Sequence, residues 1–412
     1  MTSVRPESRF AIGAFAALVM LASCAARAAR VPDSSAPRAT LAVSPRNWTA
    51  AQRKAVNDSV QAVITRAVAD GAFPGAYAVV GTSTVVLAEY GAGKLDAADP
   101  TKPNSRTVWD MASMSKLMAT TSAMVQLVGS QRVALDSPVV YYLPSWTASG
   151  AARITVRQLL SHNSGLPAGR PLYKETDTDT AARTLVYATS PITPPGSKYV
   201  YSDLGFILLG RLVQQVTATP LDQYVEKNVF GPLGMTDTRY LPPADWLSRI
   251  APTEIDPWRG RHVRGEVHDE NAVRLGGVAG HAGVFSSGRD VARFAQMYLS
   301  GGTLAGTRIL PAATLKQFIA VQDTTISRRA LGWETPTGGN SAGRRLSAIS
   351  FGHTGFTGTS LWMDPTRDLF VALLSNRVNP TRQNGKISAV RVALADAVVA
   401  ALEAAAPRAP AR

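Results

Sequence analysis

Apolar residues recur at helical spacing through Val56, Val60, Val63, Ile64, Ala67 and Val68, and the run stops at Gly71. Thr49 followed three residues later by Gln52 is a capping-box pattern, so a helix is expected to start there. Pro74 and Gly75 lead into AYAVVGTSTVVLAEYG, two short β-branched runs broken at residues 81–84, which predicts a hairpin. From residue 108 to about 240 helical periodicity dominates, interrupted by Pro/Gly loops. A second strand-rich block spans residues 349–375, with Asp364-Pro365-Thr366-Arg367-Asp368 as its turn, and a last helix is expected near 387–403.

A chain that begins and ends with helix-plus-strand material and keeps its middle helical is most simply an α+β fold. One antiparallel sheet is closed from both termini, flanked by helices, and the middle forms an inserted helical region at roughly 115–240. No repeat of solenoid period is present.

The N-terminus reads differently. Residues 1–23 carry two arginines ahead of an apolar run from Phe10 to Leu21, the layout of a signal peptide and too short for a permanent span. Leu21-Ala22-Ser23-Cys24 resembles a bacterial lipobox, which makes Cys24, the only cysteine, the expected lipidation site. A single thiol also excludes a disulfide within the chain. Residues 24–46 lack either hydrophobic period and read as a tether, 47–405 as the folded domain, and 406–412 as a disordered tail. These features predict a protein of the cell envelope, lipid-anchored to a membrane and facing the periplasm, that membrane being the outer one if the cell is Gram-negative.

An apolar fraction of 45% against 17% charged residues is that of a globular chain. The net charge of +14 is scattered over unrelated segments without interleaved aromatics, so a solvated surface is expected and no nucleic acid partner.

Three short patterns carry candidate chemistry. In MASMSKLMATTSAMVQLV the apolar positions mark a helix opening near Asp110, on which Ser113 and Lys116 stand one turn apart. At that spacing a lysine reaches a serine hydroxyl, and the helix N-terminus favours an alkoxide and eases deprotonation of the lysine. Ser115 lacks a lysine at this offset. Tyr201-Ser202-Asp203 follows PPGSKYV and precedes the apolar period of LGFILLGRLV; near a cation, Tyr201 could ionise below ~10 and act as base or relay. Gly352-His353-Thr354-Gly355 lies on the first strand of the late hairpin, where glycine admits a substrate close to the backbone.

Taken in order, S-x-x-K, Y-x-[ND] and [KH]-[TS]-G resemble the motifs of the class C serine β-lactamases, the D-Ala-D-Ala carboxypeptidases and the related family VIII esterases. The segments ITVRQLLSHNSGLP, PGSKYVYSDLGFILLG and GGVAGHAGVFSSGRDVARFAQMYL extend the likeness over roughly residues 47–400. The resemblance implies a β-lactamase/transpeptidase-like fold with a cleft holding all three motifs. It further implies an acyl-enzyme on Ser113, proton transfer by Lys116 and Tyr201, and an oxyanion hole of the Ser113 and Phe356 backbone N–H groups. Asp203, His353, Thr354 and Gly355 would contact substrate, and neither cofactor nor metal is required. The substrate would be a small molecule or peptide of the envelope: a cell-wall peptide, an ester or a β-lactam.

Two positions depart from the class C pattern. Asp203 replaces the usual asparagine and so cannot donate to a substrate carbonyl. His353 replaces lysine, so its hold on a substrate carboxylate is expected to strengthen at mildly acidic pH. His268 and His281 are expected to line the cleft or fix loops rather than bind metal, since no H-E-x-x-H spacing occurs. The reading from another class is a catalytically silent envelope protein that binds penicillin or peptidoglycan.

Overall fold

The structure, a computed structural model, describes residues 48–406. The expected signal peptide, lipidation site, the whole of the tether and residues 407–412 lie outside the described residues.

The helix Ala50–Ala69 starts as the sequence predicts: the Thr49 side chain accepts from the Gln52 N–H, while the Gln52 side chain accepts from the Thr49 N–H. It buries Val56, Val60, Ile64 and Ala67 against one face of a five-stranded antiparallel sheet. That sheet runs in the order Phe351–Thr354, Ser360–Asp364, Leu369–Ser375, Gly75–Gly81, Val86–Gly93, so strands from both ends of the described chain pair at its centre.

Strand period decides which side chain enters which core. Ala76, Ala78, Val80, Leu369, Val371 and Leu373 pack beneath the terminal helices Ala50–Ala69 and Ile387–Ala404. Their neighbours Tyr77, Val79, Phe370, Ala372 and Leu374 enter a larger core shared with Gly288–Leu299 and the helical region. Burial on both faces explains why this strand is apolar from Leu369 to Leu374 and does not alternate.

The helical region is organised around Asp203–Thr217, whose N-terminus is capped by the Ser202 hydroxyl accepting from Gly205. Leu204, Phe206, Leu208, Leu209, Leu212 and Val213 bury most of its circumference. Helical periodicity alone hid one element: Val108–Asp110 is a strand, paired antiparallel with Val284–Ser287, which also pairs with Arg239–Tyr240.

That strand corrects the expectation of a helix opening near Asp110. The chain turns sharply after it, with Ala112 in the left-handed region at φ 46°. Ser113 sits on the 3₁₀ turn Ala112–Met114, Lys116 opens a π-helical segment, Lys116–Thr121, and the α-helix proper is Ser122–Gly129. The one-turn spacing of Ser113 and Lys116 survives because three residues still make about one turn.

Candidate active site

Four local structures converge on Ser113. Its own turn is held by Asp110, whose carboxylate accepts from the Ala112 N–H at 2.8 Å and the His268 N–H at 2.6 Å. Satisfying two backbone donors at once fixes the left-handed turn that presents Ser113.

Lys116 is fully buried and its Nζ meets three acceptors: Ser113 Oγ at 3.0 Å, the His281 carbonyl at 3.1 Å and Asp203 Oδ1 at 2.7 Å. Two of these are hydrogen bonds and the Asp203 contact is an ion pair, surroundings that suit an ammonium. Burial pulls the lysine pKa down, but the Asp203 carboxylate and the Tyr201 phenol more than offset it, so the lysine is held above its ordinary value. The expected ease of deprotonation is therefore reversed, because the helix-terminus effect is outweighed by a carboxylate in direct contact.

Tyr201 lies with its ring 4.9 Å from Lys116 Nζ and its buried hydroxyl facing Lys116 and Ser113 without closing a hydrogen bond of good geometry. Burial raises the phenol pKa, the Lys116 cation lowers it by less, and Asp203 opposes ionisation. The expected phenolate does not form at rest: desolvation wins.

The Tyr201 ring rests on His162, centroids 4.5 Å apart, and the other face of His162 stacks on Phe206 at 5.1 Å. His162 Nδ1 accepts from the Ser202 N–H at 3.0 Å, which leaves its proton on Nε2. Sequence reasoning gave this histidine no role, although it stands in the SHNSGLP segment that signalled the family.

The third motif closes the cleft. Gly355 approaches so closely that a Cβ there would lie 2.5 Å from the Met111 carbonyl. Thr357 Oγ1 donates to the Asp110 carbonyl at 2.7 Å and Thr359 Oγ1 to that of Met111 at 3.1 Å, tying the turn bearing Phe356 to the turn bearing Ser113. His353 is buried, and its Nδ1 lies 2.8 Å from the Thr354 carbonyl, so that nitrogen carries the proton. Burial, with the Arg329 and Lys116 cations, holds His353 well below 6.5. The expected mildly acidic switch is thus absent: the ring stays neutral across the physiological range.

Two lobes flank the serine. One, of about 430 Å³, is lined by Tyr199, Arg329, Glu334, His353, Thr354 and Arg391; the other, of about 310 Å³, by Asp203, His268, Asp269, Glu270, Ala282 and Arg382. Ser113, Tyr201 and Phe356 belong to both. His268 Nε2 pairs with Glu254 at 2.9 Å and His281 Nε2 with Asp269 at 2.9 Å, so each fixes a loop at the cleft wall. Arg329, Arg377 and Arg391 in the larger lobe had no periodic or motif signal in the sequence.

An antiparallel sheet joined to a helical region, with serine, lysine and tyrosine at the junction, defines a serine hydrolase of the penicillin-recognising class. The chain belongs to the beta-lactamase family, whose model matches residues 60–395. It is 32% identical over 323 residues to an Escherichia coli K12 protein named "Putative D-alanyl-D-alanine carboxypeptidase", covering 69% of this chain and 72% of that one. A penicillin-binding protein homologue from Caulobacter crescentus superposes with TM-score 0.70 at 20% identity, covering 86% of this chain and 99% of the other. A family VIII carboxylesterase gives TM-score 0.67 at 22% identity, with coverages of 86% and 99%. These two structures share the fold.

Proposed function

We propose that the protein is an exported hydrolase of D-alanyl-D-alanine-type peptides that works through an acyl-enzyme on Ser113. The observation that carries this reading is the contact of Lys116 Nζ with Ser113 Oγ at 3.0 Å and Asp203 at 2.7 Å inside an open cleft. The name borne by the E. coli relative supports the peptide substrate.

Since Lys116 rests as an ammonium and Tyr201 as a phenol, the basic group in contact with the cluster is the Asp203 carboxylate. Ser113 Oγ bonds to the substrate carbonyl carbon while its proton passes to Lys116, which hands one of its own to Asp203. The oxyanion is met by the Ser113 and Phe356 backbone N–H groups. The bond to the leaving group then breaks, and that group takes the Tyr201 hydroxyl proton, which returns to Tyr201 from the Lys116–Asp203 pair. Water repeats the sequence on the acyl-enzyme, releasing the acid and restoring the serine.

The test is incubation of wild type and Ser113→Ala with a D-Ala-D-Ala pentapeptide, p-nitrophenyl butyrate and nitrocefin. Turnover by wild type alone establishes the nucleophile, and peptide release sets the substrate. Absence of turnover and of any adduct overturns the reading in favour of a silent binding protein. Cys24 would tether the enzyme in the envelope; palmitate labelling lost in Cys24→Ser is the check.

A further inference from the structure

The Phe356 N–H belongs to the same peptide unit as the Gly355 carbonyl. That carbonyl accepts from Arg391 Nη2 at 2.6 Å, and the same nitrogen reaches the Thr359 carbonyl at 2.7 Å. The next carbonyl along, that of Phe356, accepts from Arg377 Nε at 2.7 Å. Two guanidinium groups therefore grip the turn on both sides of the N–H assigned to the oxyanion hole.

Arg391 is not held there by a carboxylate. Glu334, whose field reaches it, is ion-paired with Arg329 at 2.9 Å, and Arg391 Nε is buried with no hydrogen-bond partner. Burial and the Arg377 cation pull its pKa to about 10, partly offset by Glu334, so it stays protonated near neutrality. A half-buried cation without a counter-charge in contact loses hydration that no ion pair returns. What this one gains is a charged hydrogen bond to the carbonyl of one particular peptide.

We propose that Arg391 is a positioning residue of the oxyanion hole. By binding the Gly355 carbonyl it fixes the plane of the Gly355–Phe356 peptide and draws electron density along the amide, strengthening the Phe356 N–H as a donor. Hydrogen bonds in series polarise one another in this way, most strongly in a site of low dielectric. Gly355 serves the same end, since only a residue without Cβ lets this peptide lie against the Met111 carbonyl beside the nucleophile. The inference rests on the acyl-enzyme reading given above.

The experiment compares wild type, Arg391→Met and Arg391→Lys on p-nitrophenyl butyrate, a neutral ester without a carboxylate for an arginine to bind. Turnover is measured together with the infrared carbonyl band of the ¹³C-labelled acyl-enzyme trapped by rapid mixing. Loss of a whole oxyanion donor costs about 10²–10³-fold in kcat, so weakening one should cost roughly 10- to 10²-fold. The expected result for Arg391→Met is that fall with KM little changed, and a carbonyl band moved to higher wavenumber because the carbonyl is less polarised. Arg391→Lys keeps the cation and should recover part of both.

A band at the wild-type position in Arg391→Met overturns the proposal, and so does a rise in KM alone, which would make Arg391 a substrate-binding group. If the methionine variant does not fold, the lysine variant decides: a compact ammonium cannot span both carbonyls, so the band must still move upward. An unmoved band with only a lowered melting temperature marks a structural arginine and also overturns the proposal. Failure of wild type to acylate Ser113 is a separate result that removes the acyl-enzyme reading itself.

Discussion

Lys116 Nζ and Asp203 Oδ1 lie 2.7 Å apart, the lysine without solvent exposure and the carboxylate one-third exposed at the cleft. The carboxylate stands where the class C pattern has an amide, and it converts the lysine from a free base in waiting into a fixed ammonium. A proton leaving Ser113 can enter this pair only if one passes on to Asp203.

Asp203→Asn is therefore expected to change the pH profile as well as the rate. Without the carboxylate, burial dominates and the Lys116 pKa falls, so the lysine itself must supply the base. Ester turnover near pH 6 should drop about 10- to 10²-fold and recover as pH rises and the amine loses its proton. Rates measured from pH 5.5 to 9.5 check this; a profile parallel to wild type would remove Asp203 from the relay.

His353 should contribute no titration between pH 5.5 and 7.5. Burial and two nearby cations keep its folded pKa well below 6.5, so the imidazole is already neutral when that range begins. Wild type and His353→Gln are expected to give superimposable kcat/KM profiles in shape, whatever their difference in height. An acidic limb present only in wild type would show the ring charging after all.

Gly355→Ala should separate the third motif from the nucleophile. The added methyl would meet Thr359 Oγ1 at 2.1 Å and the Met111 carbonyl at 2.5 Å, and the second is backbone that cannot turn aside. Overpacking of this kind costs about 1–3 kcal/mol. A lowered Tm with kcat down about 10²-fold is expected, the loss of an oxyanion donor; thermal melts and ester assays on the same preparation test it.

Asp290 gives a pH dependence of folding. Its carboxylate accepts from the Asp237 N–H at 2.7 Å and the Thr238 hydroxyl at 2.8 Å, yet burial raises its pKa to about 6. The folded state then holds a proton that the unfolded state, near ~3.9, has released. Stability from this group is present below about pH 4 and is lost as pH rises through about 6, to a total of about 3 kcal/mol. Denaturant midpoints across pH 4 to 7 should show that decline in wild type and a flatter course in Asp290→Asn.

The elements at the two ends of the fold were legible because their signals are local. The Thr49–Gln52 cap, the helical face of Val56 to Ala67 and the 364–368 turn each depend on residues within one turn or strand of each other. The three motifs were legible as short patterns in a fixed order, and the structure brings Ser113, Lys116, Tyr201, Asp203, His353 and Phe356 around one cleft. The small strand Val108–Asp110 was not legible, because its strand partner is the distant Val284–Ser287 and the apolar residues after it follow a helical period.

By itself the sequence determined the family, the spacing of Ser113 and Lys116 and the closing of one sheet from both ends, since periodicity, caps and motif order are properties of a line of residues. Only the tertiary structure decided the charges: Lys116 protonated, Tyr201 and His353 neutral, the Arg391 guanidinium set on a carbonyl of the turn beside Ser113. Protonation follows from how much water a group loses and which charges lie within a few ångströms of it. Those neighbours come from segments far apart in the chain, so no local pattern could have fixed them.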